Sequence, residues 1–241
     1  MPRMPIVDVT SLDTIDETLT QAGLPVGRPV VVVVGGAGGL ATDPNGTLAR
    51  LLRQHIVPLV QRLDATVVDG GTDAGVMRIM GDARATVGAT FPLIGVAARG
   101  TVLVPGEPAP KSDAAPLEPG HSTIILVPGE EWGDESAWIA AVATTLAQGY
   151  GSVTVLINGG SIAYTDVLHS LAVGRPVVVL AGTGRTADEI ADAAEAPNNA
   201  AANQIRQSPL TTVISMAAPT QIAAAIHAGI DGAPNQRSSA F

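Results

Sequence analysis

The sequence predicts an α/β protein, a Rossmann-like doubly wound and mainly parallel sheet of about seven strands with helices on both faces. Three observations carry that prediction. Short apolar runs rich in Val and Ile recur along the chain, each closes on a glycine loop, and each loop is followed by a stretch with helical periodicity. The 241 residues suffice to bury a large core, and hydrophobic residues at 46% against only 15% charged rule out wholesale disorder.

Taken in order, Ser11 to Ala22 reads as a short helix closed by Gly23, with Pro25 beyond it, packing on the sheet edge. The apolar runs place strands at Pro29–Val34, Ala65–Val68, Pro92–Ala97, Thr123–Val127, Ser152–Ile157, Pro176–Leu180 and Thr211–Ile214. Between the first two, Leu48, Leu51, Leu52, Ile56, Leu59, Val60 and Leu63 follow a 3.6-residue period, with Thr47 or Asn45 as N-cap and Pro58 as a kink. Further helices fit Asp73–Val87, Ser136–Gln148, Ser161–Val173, Thr186 to about Ala194, and Pro219–Ala228. Val104 to His121 carries five prolines and reads as a surface loop lying over a site. Residues 1–26 form an N-terminal extension, 27–231 the domain, and 232–241 a flexible tail. Gly27-Arg28-Pro29-Val30-Val31-Val32 recurs as Gly174-Arg175-Pro176-Val177-Val178-Val179, through duplication or because parallel strands entering a glycine loop share a geometry.

Composition excludes several functions. Cysteine is absent, so there is no disulfide framework, thiolate metal site or cysteine nucleophile. The formal charge of −9 and the lack of any basic run argue against a duplex-phosphate footprint. Six aromatics (Phe91, Trp132, Trp138, Tyr150, Tyr164 and Phe241) are too few for a base-stacking platform, so no nucleic-acid polymer is expected. Ser136 to Thr165 is uncharged but broken by Gln148-Gly149-Tyr150-Gly151-Ser152, giving a buried helix then a buried strand rather than a membrane span. Acidic residues follow the N-terminus where a signal peptide would be apolar, so a cytoplasmic location is expected. The low charge content leaves room for a homo-oligomer surface.

The 27 glycines concentrate in four loops: Gly35-Gly36-Ala37-Gly38-Gly39, Gly70-Gly71-Thr72-Asp73-Ala74-Gly75, Gly159-Gly160-Ser161 and Gly182-Thr183-Gly184-Arg185. Each follows an apolar run and precedes a helical one, which puts all four at the carboxyl edge of a parallel sheet, where ligands bind. Glycine there lets backbone N–H groups approach an anion while the next helix N-terminus adds its dipole. A phosphate-bearing ligand is therefore expected, although each glycine taken singly is equally readable as a tight turn. Gly36 to Ala41 formally fits G-x-G-x-x-A, but Asp43-Pro44-Asn45-Gly46 delays the helix and Asp69 falls too far along for a dinucleotide dehydrogenase. The single lysine, Lys111, lies in the proline-rich loop, and no P-loop motif exists.

Asp69-Gly70-Gly71-Thr72-Asp73-Ala74-Gly75-Val76-Met77, Leu117-Glu118-Pro119-Gly120-His121, Trp132-Gly133-Asp134-Glu135, Asn158-Gly159-Gly160 and Gly182-Thr183-Gly184-Arg185-Thr186-Ala187-Asp188 occur in that order. This set resembles the SLOG superfamily, and within it the prokaryotic LSDAT group, relatives of the cytosolic domain of TRPM channels. The resemblance implies a Rossmann-like domain that senses or processes nucleotide-derived ligands such as ADP-ribose or another NAD metabolite. It implies that Gly71, Thr72, Gly75, Val76 and Met77 cradle phosphate or ribose, and that Gly182, Thr183, Gly184 and Arg185 meet the pyrophosphate. Gly35, Gly36, Gly38, Gly70, His121, Asn158, Gly159, Gly160 and Ser161 complete the expected ligand contacts. Laid against the P-G-G-x-G-T-x-x-E loop of nucleotide phosphoribohydrolases in the same superfamily, the segment from Asn158 keeps two glycines and carries Asp166 in place of the Glu.

Two functions stay open on the sequence alone, a ligand-binding or sensing module and a nucleotide-processing hydrolase with Asp166 or Glu135 as its carboxylate. No tightly bound cofactor and no metal site are expected: the four histidines are scattered, and Pro119-Gly120 interrupts Glu118-x-x-His121. His121 is open to two readings, base or ligand contact against a bond to loop backbone. Gly159-x-Ser161-x-Ala163 is a degenerate nucleophile elbow, and Ser161 fits better as a helix cap that also donates to ligand.

Overall fold

The computed structural model describes residues 4–36, 46–193 and 199–232. Along the chain the strands are β1 Ile6–Asp8, β2 Val30–Gly35, β3 Thr66–Asp69, β4 Leu93–Ala98, β5 Val102–Leu103, β6 Ala115–Pro116, β7 Thr123–Val127, β8 Ser152–Ile157, β9 Val177–Ala181 and β10 Thr211–Ser215. The helices are α1 Ile15–Gln21, α2 Thr47–Leu51, α3 Val57–Arg62, α4 Gly75–Thr86, α5 Ser136–Ala147, α6 Ser161–Ala172, α7 Arg185–Ala191, α8 Ala200–Gln207 and α9 Pro219–Asp231. Eight strands form one sheet in the order β1-β7-β4-β3-β2-β8-β9-β10, and every pairing in it is parallel.

Burial on both faces explains the unbroken valines of β2. Val30, Val32 and Val34 enter a core layer with α1, α5, α6, α7 and α8, while Val31 and Val33 enter the opposite layer with the α2–α3 segment, α4 and α9. That alternation is the two-residue period of a strand with helices on each side. Fully burying one such valine contributes roughly 1.5–3 kcal/mol.

Seven strands lie where the apolar runs place them, within a residue at either end. The eighth, β1, is only three residues long and pairs with β7 through Ile6, Val7 and Asp8, too short for a period to reveal. It takes the sheet edge expected for the first helix, and α1 packs on α5 instead. Pro58 does not break its helix: Leu52–Ile56 is a π-helical turn that widens the helix just before the ring, which is where an α turn would clash with a carbonyl. Helix α8, capped by Asn199 Oδ1 accepting from Ala202 N–H at 3.0 Å, was not foreseen at all.

One sequence-based expectation is sharpened and one internal likeness ends at its arginines. The segment from Val104 to His121 is exposed over residues 105–110 and again at Pro116 and Pro119, but it is tied to the body of the domain: β6 pairs with β5, Thr72 bridges Leu117, and Glu118 and His121 are buried. The two Gly-Arg-Pro entries also differ. Arg28 pairs at the surface with Asp64 at 3.2 Å, whereas Arg175 is buried and donates to Ser152 Oγ, Ala140 O and Thr144 Oγ1 at the end of α5. Burial without a carboxylate partner lowers the Arg175 guanidinium to about 10. Among the described residues no helix is long and apolar enough to cross a membrane.

Candidate functional site

The chain runs from β2 outward through β3, β4 and β7 on one side, then returns to add β8, β9 and β10 on the other. The strand order therefore reverses between β2 and β8, and a crevice opens beyond their carboxyl ends. A cavity of about 240 Å³ occupies it. Gly35 and Gly36 follow β2, Gly70 and Thr72 follow β3, Trp132 and Glu135 follow β7, Gly160 to Ala163 follow β8, and Arg185 follows β9. Val33, Val34, Met77, Ile139 and Asp166 complete the wall.

Of the residues the sequence singled out, the structure brings Gly35, Gly36, Gly70, Thr72, Met77, Gly160, Ser161, Arg185, Glu135 and Asp166 to this cavity. Gly71, Gly75, Val76, His121, Asn158, Gly159, Gly182, Thr183 and Gly184 stand off its wall. Gly38 lies outside the described residues, as does the segment from Ala37 to Asn45. Ile139, Ile162, Ala163, Val33 and Val34 are wall residues that sequence reasoning did not name. Their type marks them only as core.

Several loop glycines serve packing. A Cβ on Gly71 would sit 2.9 Å from Gly95 Cα, and one on Gly159 would sit 2.8 Å from Thr186 Cβ, so strand and helix approach closely only because these side chains are missing. The loop after β9 is already an anion cradle with an occupant: Gly182 N–H and Gly184 N–H donate to Asp188 Oδ1 and Oδ2 at 2.6 and 3.1 Å. Asp188 thus occupies the two amides on which the sequence places a pyrophosphate. Asn158, at φ 60°, ties this loop to β8, its N–H donating to Thr183 Oγ1 and its Nδ2 to Thr183 O at 2.8 and 2.7 Å.

His121 is sequestered rather than presented. With Asp69 and Glu118 it forms a buried cluster, its Nε2 2.8 Å from Asp69 Oδ1 and its Nδ1 2.6 Å from Glu118 Oε2. Burial by itself lowers the imidazolium, but the charge and hydrogen bond of Asp69 and those of Glu118 outweigh it and raise His121 to about 10. Both ring nitrogens are then donors. Asp69 Oδ1 also accepts from Gly71 N–H at 2.7 Å, and Glu118 from Gly120 N–H at 3.0 Å. Gly81 of α4 leaves the space for Glu118, since a Cβ there would lie 2.3 Å from Oε1. The turn at Pro119-Gly120 thus brings Glu118 and His121 together off any helix, and the cluster pins the loop that carries Gly70 and Thr72 to the cavity.

Around the cavity the polar groups are less well satisfied. Thr72 Oγ1, Ser136 Oγ and Asp166 Oδ1 are closed to solvent and accept or donate no hydrogen bond, and Asn158 Oδ1 behind them is in the same condition. Burial pushes the Asp166 carboxyl up to about 7; the Ser136 hydroxyl opposes this and the Glu135 charge adds to it. Glu135 is raised as well, by burial first, against the N–H of Gly133, which donates to Oε2 at 3.0 Å. Gly160, the N-cap of α6, supplies no side-chain bond, so that helix N-terminus faces the cavity uncapped, and the Arg185 guanidinium lies against Gly160. Among the described residues no group of three metal-ligating side chains is placed to hold a metal ion.

The comparisons with known proteins agree with this architecture. The family model described as SLOG in TRPM, prokaryote, matches residues 28–224. The chain is also similar to transient receptor potential cation channel subfamily M member-like 2 of Nematostella vectensis, 26% identical over 209 residues that take in 71% of this chain but only 13% of that protein. The match over most of its length places this chain in the prokaryotic family of SLOG domains related to those of TRPM channels.

Proposed function

We propose that the protein binds a nucleotide-derived ligand, ADP-ribose or another NAD metabolite, in the cavity at the β2–β8 switch point, and acts as a sensing module. The observation that carries this reading is that two residues of the cavity wall, Thr72 and Asp166, each carry a partnerless polar atom, as does Ser136, the neighbour in sequence of the wall residue Glu135. Buried polar groups are ordinarily hydrogen-bonded, and leaving one unmade costs about 1–3 kcal/mol. Ligand hydroxyls and phosphate oxygens would supply the missing partners. The uncapped α6 N-terminus and Arg185 favour the anionic part of such a ligand, and Trp132, Ile139 and Ile162 offer an apolar surface to a base. Titration calorimetry with ADP-ribose, NAD, cyclic ADP-ribose and AMP tests the reading: saturable binding of at least one is expected, and no heat from any of them at millimolar ligand would overturn it.

A second reading is hydrolysis of a nucleotide at its N-glycosidic bond, favoured by one observation, that Asp166 on the cavity wall is a carboxyl pushed up to about 7. Release of free base or ribose phosphate by the wild type, lost in Asp166→Asn, would support it over sensing alone.

A further inference from the structure

Asp166 lies in the second turn of α6 and Glu135 immediately precedes α5, and because these two helices pack together the carboxyls share one wall of the cavity. Glu135 is anchored by the Gly133 amide, whereas Asp166 Oδ1 has no partner and the Ser136 hydroxyl, near enough to lower the Asp166 carboxyl, is outside hydrogen-bond geometry. The other charged groups nearby are otherwise engaged or turned elsewhere. On α7, Asp188 is held by the Gly182 and Gly184 amides, and Glu189 by the Tyr164 hydroxyl of α6 and the Asn199 amide. His169 of α6 lies in a groove on another face, Arg206 of α8 is exposed, and β2, β8 and β9 carry no titratable residue. Lys111 reaches Glu131 and acts on Glu135 only as a weak opposing charge, with Asp134 acting in the other sense. Arg185 is the one basic residue among the described residues of the wall.

We propose that Asp166 and Glu135 form a proton-binding pair that sets specificity, so that the cavity admits an anionic ligand of phosphodiester type together with one proton taken up by the Asp166 carboxyl. The inference rests on the reading that this cavity binds a nucleotide. Two carboxylates on a wall with one arginine repel an incoming phosphate. Protonating one removes a negative charge and turns a partnerless acceptor into a donor for a ligand oxygen. The raised Asp166 carboxyl puts this exchange near neutral pH. Binding that requires one proton weakens tenfold per pH unit once the free site has lost it.

Calorimetry with ADP-ribose between pH 6 and 8.5, where neither of its phosphates titrates, reads the coupling. Wild-type affinity is expected to fall about tenfold per unit above about pH 7, and Asp166→Asn, which keeps a donor at every pH, to show a flat profile. The free protein gives a ligand-independent check. A carboxyl raised in the folded state contributes stability at low pH that is lost as pH rises through its folded value, so Asp166→Asn should gain in Tm on the wild type between pH 5 and 8.5. Melting temperatures that stay parallel over that range overturn the inference whatever binds. A Tm difference together with pH-independent affinity overturns the coupling and leaves the binding reading standing. A Tm difference with no ADP-ribose binding at any pH removes both.

Discussion

Two groups of carboxylates, one buried and one half-buried, sit at the same carboxyl edge of the sheet and have opposite character. Asp69 and Glu118 share His121 between them and take additional bonds from Gly71 and Gly120 N–H. Asp166 and Glu135, across the β2–β8 crevice, share no cation, and Asp166 Oδ1 has no partner. The sequence marks both groups in the same way, as acids and a histidine beside glycine loops. The difference lies in the shared cation: His121 and two backbone amides tie the first group to its loop and leave Asp69 Oδ2 as its one partnerless oxygen, whereas the second group has no cation between its carboxyls and faces a cavity.

The largest effect that would break this comparison is expected at His121. In His121→Leu two buried carboxylates lose their cation, and a loss of about 3–5 kcal/mol is expected in urea unfolding; a loss below about 1 kcal/mol would mean the cluster is not a buried ionic unit. The same cluster has a pH signature. Because the His121 folded value is raised from 6.5 to about 10, its stabilisation is complete below pH 6.5 and drains away as pH climbs toward 10. Urea midpoints should fall across that window in the wild type and stay level in His121→Gln.

Packing glycines come next. Gly71→Ala forces a Cβ against Gly95 Cα at a backbone φ of 68° and should cost about 1–3 kcal/mol, whereas Gly70→Ala, whose nearest neighbour is Met77 Cε at 3.9 Å, should cost less than about 1 kcal/mol. Equal losses at the two positions would erase the distinction between a glycine that packs and one that walls the cavity. At the unsatisfied site, Arg185→Ala should weaken ADP-ribose about tenfold, or about 1.4 kcal/mol, with stability changed by less than about 0.5 kcal/mol; unchanged affinity would take Arg185 out of the site. A modest loss is expected for Asp188→Ala, about 1 kcal/mol of stability, as the Gly182 and Gly184 amides lose an acceptor that water partly replaces. A chemical-denaturation curve superimposable on the wild type would show that the cradle does not need its carboxylate.

Much of the fold was legible because it depends on patterns that are local in the chain. Seven strands were read from valine- and isoleucine-rich runs, and the same runs imply burial on two faces. What escaped was short: the three residues of β1, recognisable only by pairing with β7, and α8, whose eight residues carry a single large apolar side chain, Ile205. The candidate site was legible by half. Gly35, Gly70, Gly160, Ser161 and Arg185 come to the cavity because loops at strand ends all reach one edge, while Ile139 and Ile162 carry no sign that separates a cavity wall from a core.

By itself, the sequence determined the α/β class, the parallel sheet, the glycine loops at its carboxyl edge and the family resemblance, since these follow from period, strand order and local turn chemistry. Only the tertiary structure decided what each polar residue does. His121 and Asp69 are separated by 52 positions yet lie 2.8 Å apart, and Asp188 reaches back to fill a loop that reads as free for phosphate. Whether a carboxylate is satisfied depends on donors brought from distant segments, and the chain order does not contain that distance.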